Sequence, residues 1–331
     1  MKHFTEEELE FYFDRDSEEE QTRTRKIFEK LRDRAKGGKT LLEREKEFFC
    51  LCLKLSDYED DGKPEDFEVC NDFRFKQLYL TYFSSGLKSD EVYKADKGKV
   101  YLVPLNERIK DLKYLTSIQK IWLKEIEKTN HTDQILQLLA AETRQDLKRI
   151  KKEAGTLFFR KQKEQYAFKK EKQILHSKFL YLLVKKTIQN HDESDFNFTF
   201  MAKNVEIDAY SLIHIINRHY AEVIKDNPQK TYHIEDFDPE LLHIKLKDIL
   251  KEIEEKSIPI KNPEKFAFRY KNVDYRIWIK KRVKYEKGIG KIEFYRLETF
   301  YPIADKSEIE DLNNNYDLVE VSPELQTYTE K

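Results

Sequence analysis

Apolar residues recur at spacings of three and four along much of the first two thirds of the chain, as in amphipathic helices. One such stripe between residues 105 and 190 consists of Leu112, Leu115, Ile118, Ile121, Trp122 and Ile126. The polar stretch Asn-His-Thr-Asp at 130–133 interrupts this pattern, and Thr132 or Asp133 can cap the helix that follows. We therefore predict a long helical hairpin, or a helical bundle arm, over residues 101–190.

The first hundred residues are also predicted to be helical. Residues 5–35 carry glutamates early and basic residues late, which matches the dipole of a helix, and two glycines end that run. A second helix is predicted to begin near Thr40 and to bury Phe48 and Phe49, before an acidic loop over 57–66. These patterns predict a helical N-terminal domain over residues 1–100.

The pattern changes after residue 195. Helix patterns over 207–225 and 239–255 precede segments that alternate apolar and basic residues. The predicted strands are 265–270, 273–284 and 291–300, with an edge strand over Phe196–Phe200. This order predicts an α+β domain over 195–305, with helices on one face of an antiparallel β-meander. Residues 306–331 are polar and acidic, and we expect them to form a partly ordered tail.

Composition limits the class of protein. Among the 331 residues 13% are aromatic, which predicts a folded chain although 38% are charged. No apolar run is long enough to cross a membrane, and three cysteines fit a reducing compartment, so we expect a cytoplasmic protein without membrane contact. The net charge of −1 does not indicate nucleic acid, but between Glu142 and Asn190 basic residues exceed acidic ones by nine. This excess predicts a local basic surface.

The three cysteines, Cys50, Cys52 and Cys70, allow two interpretations. They could be zinc ligands, but Cys-x-Cys is not the common ligand spacing, and no fourth ligand lies nearby in the sequence. Cys50 and Cys52 also lie among large apolar residues, which favours two core thiols. We therefore predict neither a metal nor a cofactor.

The segment 210–220 carries the densest set of groups that could transfer protons or bind phosphate. On a helix, His219 lies at the border of a buried stripe that contains Ile213 and Ile216. His214 and Arg218 are four residues apart and share another face. We expect His219 to lie where the helix meets the sheet. The alternative is that His214 is a solvated surface residue and His219 is a hydrogen-bonded boundary residue.

The predicted strands offer a second set of candidates. One face of the 273–284 strand carries Arg276, Trp278, Lys280, Arg282 and Lys284. Cations beside an aromatic ring can hold phosphates and stacked bases, although the same pattern also occurs on the solvated face of a half-buried sheet. At the end of the next strand, Thr299 and Tyr301 carry hydroxyls that can bind a phosphate oxygen or can be purely structural.

Residues 205–303 resemble the phage-associated branch of the barnase/EndoU/colicin/RelE-like ribonucleases. The resemblance rests on His-Ile-x-x-Arg-His at 214–219, on a second helix that ends in Ile258-Pro259, and on Glu-Thr-Phe-Tyr-Pro at 298–302. It implies metal-independent RNA cleavage by an α+β domain with its site on the sheet face. His214, Arg218 and His219 match the helix motif of the family, and Thr299 matches its late-strand hydroxyl.

These residue types fit the chemistry of that family. Cleavage of RNA through its own 2′-hydroxyl needs a base for this hydroxyl, an acid for the 5′ oxygen and cations for the developing phosphorane charge. Histidine can do either proton transfer near neutral pH, and arginine can bind a phosphate through two parallel hydrogen bonds.

Three functions remain open from the sequence. The first is a ribonuclease-like effector of a toxin, defence or mobile-element system, whose helical half positions RNA, binds a protein partner or restrains the nuclease. The second is a nucleic-acid-binding or assembly protein that has the fold without the activity. The third is a helical scaffold that binds protein, or a second copy of itself, through residues 105–190.

Overall fold

The structure is a computed structural model that describes residues 3–10, 17–37, 39, 41–56, 64–83, 91–96, 99–220, 233, 237–286 and 288–331. The chain divides into two compact units. Unit 1 comprises residues 1–82 and 89–115, and unit 2 comprises residues 83–88 and 116–331. This division differs from the four segments expected from the sequence, because most of the helical arm belongs to the same unit as the sheet.

The described residues of unit 1 form helices and one β-hairpin. Its described elements are α1 Glu18–Lys36, α2 Glu43–Ser56, α3 Pro64–Tyr82, β1 Tyr93–Asp96, β2 Lys99–Leu102 and the first part of α4 Leu105–Glu127. Helix α1 begins later than predicted, because Ser17 caps it by accepting a hydrogen bond from the backbone of Glu20. Helix α3 begins with Pro64, a residue favoured in a first helical turn, so the helix includes Asp66. Residues 57–63 of the expected acidic loop lie outside the described residues.

The core of unit 1 forms around the predicted aromatic pair. Phe48 and Phe49 on α2 are buried with Leu31 of α1, and the rings of Phe28 and Phe49 stack at 5.1 Å. Cys52 is buried in the same cluster, and burial raises the pKa of its thiol to about 12. The core interpretation therefore holds for this cysteine, whereas the side chains of the other two lie outside the described residues.

A buried carboxylate joins three segments of unit 1. Glu45 is 0% exposed and accepts hydrogen bonds from the Arg34 guanidinium at 2.6 Å and from the backbone N–H groups of Phe4 and Leu42. Burial alone would raise the pKa of Glu45, but these bonds, together with His3, hold it below its usual value. The N-terminal segment is thus tied to α1 and α2 by one charged group.

The helical part of unit 2 has three helices rather than the two predicted. After α4 come α5 Gln134–Ala154 and α6 Arg160–Asn190. Of the two predicted N-cap residues, Thr132 and Asp133, it is Asp133 that caps α5. The additional break falls at Gly155, whose φ of 54° favours glycine. Helices α5 and α6 are antiparallel, because Asp146 meets Gln173 and Asp133 meets Tyr181.

The C-terminal part of unit 2 is built on a seven-stranded sheet. Its strands are β3 Asn197–Phe200, β4 Lys203–Glu206, β5 Lys265–Tyr270, β6 Val273–Glu286, β7 Gly290–Pro302, β8 Tyr316–Ser322 and β9 Leu325–Glu330, in the order β3-β4-β7-β6-β5-β9-β8. All neighbours are antiparallel except β4 and β7. The predicted meander β5-β6-β7 is its centre, and β3 is the predicted edge strand. Lys271 and Asn272 both have positive φ, as the tight turn between β5 and β6 requires.

Helices cover parts of both faces of this sheet. The helices are α7 Glu193–Phe196, α8 Ala209–His219, α9 Leu242–Glu255 and α10 Lys306–Asn315. On the main core face, Ile213 and Ile216 of α8 and Ile249 of α9 pack with strand residues such as Ile277 and Phe300. On the other face, Leu312 of α10 packs with Ala267, Ile303 and Tyr328. The expectation of helices on one face alone is therefore wrong, but the fold class is α+β as predicted.

The expected acidic tail is an ordered part of the domain. Residues 306–331 form α10, β8 and β9, and β9 pairs with β5 through Phe268 and Thr327. The segment joins the sheet because apolar residues alternate with its acids, so that Val321 and Leu325 reach the main core. The expectation of a tail is therefore wrong, because acidic composition does not reveal that every buried position in this segment is apolar or threonine.

Candidate active site

Helix α8 is held beside the edge of β7 by its capping residue. The described pairing of β4 with β7 covers Val205 and Glu206, after which the chain turns into α8. Asp208 caps this helix by accepting a hydrogen bond from the backbone N–H of Ser211 at 2.9 Å. The second oxygen of Asp208 lies 2.6 Å from the Arg296 guanidinium on β7. One carboxylate therefore sets both the start of the helix and its position along the strand.

The last residue of α8 contacts the strand where the sequence placed it. His219 Nε2 lies 3.3 Å from the Thr299 hydroxyl oxygen, within hydrogen-bond distance. The imidazole also stacks on the ring of Tyr301, with centroids 5.2 Å apart and planes 18° apart. All three side chains are only partly buried. An imidazole beside a hydroxyl at a partly open position can exchange a proton with a bound group or hold one of its oxygens.

The other two predicted catalytic residues contact α5. His214 Nδ1 lies 3.6 Å from Glu142, and Arg218 lies 3.7 Å from Asp146. The two contacts are four residues apart on both helices, so α5 and α8 run in the same direction here. Burial alone would raise the pKa of Glu142, but His214 and Arg218 outweigh burial and hold it below its usual value.

The four predicted catalytic residues thus form two separate groups, one beside β7 and one beside α5. His219 and Thr299 make one group, and His214 and Arg218 make the other. Five residues of helix separate the two histidines, which corresponds to about 140° of rotation and about 7.5 Å along the axis. The border position predicted for His219 and the shared face predicted for His214 and Arg218 agree with this arrangement.

Arg276 does not lie on an open face of the sheet. It is 5% exposed and lies 3.5 Å from Glu308 on α10, so it cannot offer its charge to solvent. The Tyr301 hydroxyl donates to the same carboxylate at 3.2 Å. Burial raises the pKa of Tyr301 to about 12, and Glu308 acts in the same direction. These two residues, predicted to bind nucleic acid, therefore anchor α10 to the sheet.

The remaining basic residues of β6 differ in what they can offer. Two cations lie near the indole of Trp278, with the amines of Lys265 and Lys280 4.8 and 5.3 Å from the ring centroid. Lys280 is exposed. Arg282 instead forms a 2.6 Å ion pair with Glu298, and Lys284 forms one with Glu206. The face that was predicted to be basic is therefore largely neutralised away from Trp278.

Two groups near the site had no signal in the sequence. His233 donates its backbone N–H to the carbonyl of His219, and its ring nitrogen Nε2 lies 3.0 Å from the carbonyl of Phe300. Burial lowers the pKa of His233 to about 3, so the ring is neutral. Asn217 donates to Glu142 at 3.3 Å and so supports the contact with His214. Neither residue could be found from the pattern, because each acts through residues distant in the sequence.

A cavity of about 420 Å³ opens near the other side chains of α8. Ile216 and Tyr220 line it together with His176 of α6 and Asp238. Burial lowers the pKa of His176 to about 3. The described lining contains none of the four predicted catalytic residues, so the candidate site is separate from this cavity.

Comparison of the chain with protein-family models, with curated proteins and with solved structures found no match. Among the described residues, no group of three or more His, Cys, Asp or Glu side chains could hold a metal ion. Within the same part of the chain, no helix combines the length and the apolar character needed to cross a bilayer.

Proposed function

We propose that this protein is an endoribonuclease-like effector that cleaves RNA through the 2′-hydroxyl without a metal ion. The supporting observation is the 3.3 Å contact between His219 and Thr299, which are 80 residues apart in the sequence. It joins the last residue of the helix motif to the late-strand hydroxyl of the resemblance. Tyr301, from the same short motif as Thr299, stacks on the imidazole and restrains its orientation.

The proposed reaction is an internal transesterification. The 2′-oxygen attacks the phosphorus and loses its proton to a base, while the bond from phosphorus to the 5′ oxygen breaks and that oxygen takes a proton from an acid. The products are a 2′,3′-cyclic phosphate and a free 5′-hydroxyl. His219 transfers one of these protons, and the Thr299 hydroxyl donates a hydrogen bond to the phosphate. Solvent water exchanges the other proton, because His214 contacts Glu142 on a different face of α8 and does not reach the same phosphate.

Charge for the phosphorane comes from Arg218 in this proposal. Its guanidinium is partly exposed, and its 3.7 Å distance from Asp146 is longer than a hydrogen bond, so its N–H groups remain able to bind phosphate. Trp278 and Lys280 are proposed to hold a neighbouring nucleotide by stacking and by a phosphate contact. Arg276 has no role in RNA binding in this proposal.

The cellular setting is proposed from the sequence alone. A cytoplasmic effector of a toxin, defence or mobile-element system would need its activity restrained, and a protein partner bound through the helices between 105 and 190 could supply that restraint. Expression of the active chain should then be toxic to the host cell, and Arg218→Ala should relieve the toxicity.

The direct test is incubation of the purified chain with total RNA in the presence of EDTA. The wild-type chain is expected to leave 2′,3′-cyclic phosphate ends. His219→Ala should lower the rate by about 10² to 10⁴-fold and Thr299→Val by about 10²-fold. Matched controls are His131→Asn and Thr329→Val, a histidine and a partly exposed strand threonine outside the candidate site, and both should cleave like the wild type.

Other outcomes would support the alternative functions. RNA binding that weakens with salt, without cleavage by the wild-type chain, would support a non-catalytic nucleic-acid-binding protein. A dimer seen by light scattering, with neither binding nor cleavage, would support a helical scaffold. Cleavage that survives His219→Ala and Thr299→Val would contradict the proposed site even if the activity is real.

A further inference from the structure

The turn between α5 and α6 exposes two adjacent aromatic rings. Phe158 and Phe159 are 77% and 70% exposed, whereas Leu157 before them is partly buried. Single exposed apolar residues are common on protein surfaces, but two neighbouring phenylalanines this open contribute almost nothing to the core. Their presence therefore needs a reason outside the fold.

The same turn breaks two local rules of helix stability. Phe159 occupies the N-cap of α6, a position that favours Ser, Thr, Asp or Asn, and it offers no side-chain acceptor. The first turn of α6 carries Arg160, Lys161 and Lys163 and no acidic residue, although the helix dipole is positive at this end. Both features disfavour the start of α6. Such local conflicts with stability are expected at binding sites.

Basic residues predominate in the sequence on both sides of the two rings. Between Lys148 and Glu164, a segment that we call the α5–α6 tip, there are seven basic and two acidic residues. Two arginines are engaged, Arg149 with Asp146 at 3.0 Å and Arg160 with Glu164 at 2.7 Å. The other five cations are exposed and form no ion pair with a described residue: Lys148, Lys151, Lys152, Lys161 and Lys163.

We propose that the α5–α6 tip binds single-stranded nucleic acid. Exposed aromatic rings are platforms on which unpaired bases stack, and lysines on both sides can contact the phosphates that connect those bases. Bound phosphates would also relieve the crowding of cations at the positive end of α6. Both broken rules then have one physical explanation.

The distribution of charge favours a nucleic acid over a membrane or an apolar protein. The lysines extend back along α5 to Lys148, six residues before the helix ends at Ala154, which corresponds to about 9 Å along the helix axis. A phosphate chain can follow such a row, whereas a bilayer would contact the end of the hairpin alone. Two rings are also too few to form the apolar centre of a stable protein interface.

The test measures binding to strands that the proposed cleavage chemistry cannot cut. Fluorescent 20-nucleotide oligo(dT) and 2′-O-methyl oligo(U) are titrated with the full chain, and binding is followed by anisotropy. The double variant F158A/F159A should weaken binding at least 10-fold, because each stacked base contributes a free energy equivalent to about 5-fold or more. K161Q/K163Q should lower the slope of log affinity against log salt by about 1.4.

Further measurements make the proposal falsifiable. Y93A/Y101A, which removes two exposed aromatic residues from unit 1, should leave the affinity unchanged, and circular dichroism should show that every variant is folded. Unchanged affinity in F158A/F159A would overturn the proposal. So would a loss of binding to phosphatidylcholine–phosphatidylserine vesicles, or a change in oligomeric state, without a change in nucleic-acid affinity. Because these strands cannot be cut through a 2′-hydroxyl, the result stands apart from whether RNA is cleaved.

Discussion

The hydroxyl of Thr299 and the imidazole of His219 lie 3.3 Å apart, although one belongs to a central strand and the other to the end of a helix. This contact depends on the position of α8 along the direction of β7. Asp208 fixes that position, because it caps α8 and also forms an ion pair with Arg296 on β7. The candidate site is therefore sensitive to a residue that does not belong to it.

Replacement of Asp208 by alanine is expected to impair both stability and cleavage. Loss of the cap should lower the free energy of unfolding by about 1–2 kcal/mol, and loss of the Arg296 pair lets α8 shift along β7. Urea titration and the RNA assay measure the two effects. Asp133→Ala removes a similar cap from α5, so it should lower stability and retain cleavage. Equal cleavage in the Asp208 and Asp133 variants would contradict this positioning role.

Substitution of two basic residues of β6 should affect different properties, stability for one and RNA binding for the other. Arg276 is buried against Glu308, so Arg276→Ala should lower the free energy of unfolding by about 2–3 kcal/mol. Lys280 is exposed beside Trp278, so Lys280→Ala should leave stability unchanged and weaken RNA binding, with a salt slope about 0.7 smaller. Urea titration and anisotropy separate the two, and an unchanged affinity in Lys280→Ala would remove this residue from the proposed binding face.

Local pattern was sufficient to predict several features. The period of two gave the three central strands, and Asp133 was one of two predicted caps because its position follows a polar break. The helical period alone placed His219 at the border of the buried stripe of α8. Each of these inferences uses residues within one turn or one strand, where the physics is local.

Partners that come from distant segments could not be predicted. Glu142 and Asp146 are regularly spaced on α5, but nothing near them in sequence shows that they meet His214 and Arg218. Arg276 appeared solvated because its partner, Glu308, lies in a segment that was expected to be a tail. The wrong expectation of a tail over residues 306–331 therefore led to the wrong expectation that Arg276 is exposed, because α10 of that segment covers Arg276.

The buried carboxylate of unit 1 gives a stability prediction. Glu45→Gln leaves Arg34 without its charged partner and should lower the free energy of unfolding of this unit by about 2–3 kcal/mol. The pKa of Glu45 is lower in the folded chain than in the unfolded one. Its stabilising effect is therefore complete above the unfolded pKa and is lost as the pH falls through the folded pKa. In Glu45→Gln, the free energy of unfolding of unit 1 should therefore fall less steeply as the pH is lowered.

A thiol reports on unit 1 alone. Cys52 is buried and, in a chain with Cys50→Ser and Cys70→Ser, pulsed maleimide labelling across a urea series measures its exposure at neutral pH. Both tryptophans of the chain belong to unit 2, so their fluorescence follows the other unit. If Glu45→Gln left the labelling midpoint in place, the carboxylate would not be an important support of this unit.

The buried histidine of α6 predicts that unit 2 loses stability in mild acid. Burial lowers the pKa of His176 to about 3 from an ordinary value of 6.5, so the unfolded chain binds the extra proton between these values. Stability should therefore fall as the pH drops below 6.5, by up to about 1.4 kcal/mol per pH unit from this group. His176→Gln should reduce that slope in urea titrations followed by tryptophan fluorescence, whereas His131→Gln should not. An identical slope in both variants would rule out this source of acid sensitivity.

The contact between His219 and Thr299 can be measured as a coupling energy in catalysis. If the two side chains act on one phosphate as a unit, removing the second after the first should cost much less than removing it alone. The rates of the wild type, His219→Ala, Thr299→Val and the double variant give that difference. We expect the cleavage rate of the double variant to be within about 10-fold of the rate of His219→Ala. Independent effects, which multiply, would mean that the 3.3 Å contact does not couple the two residues in catalysis.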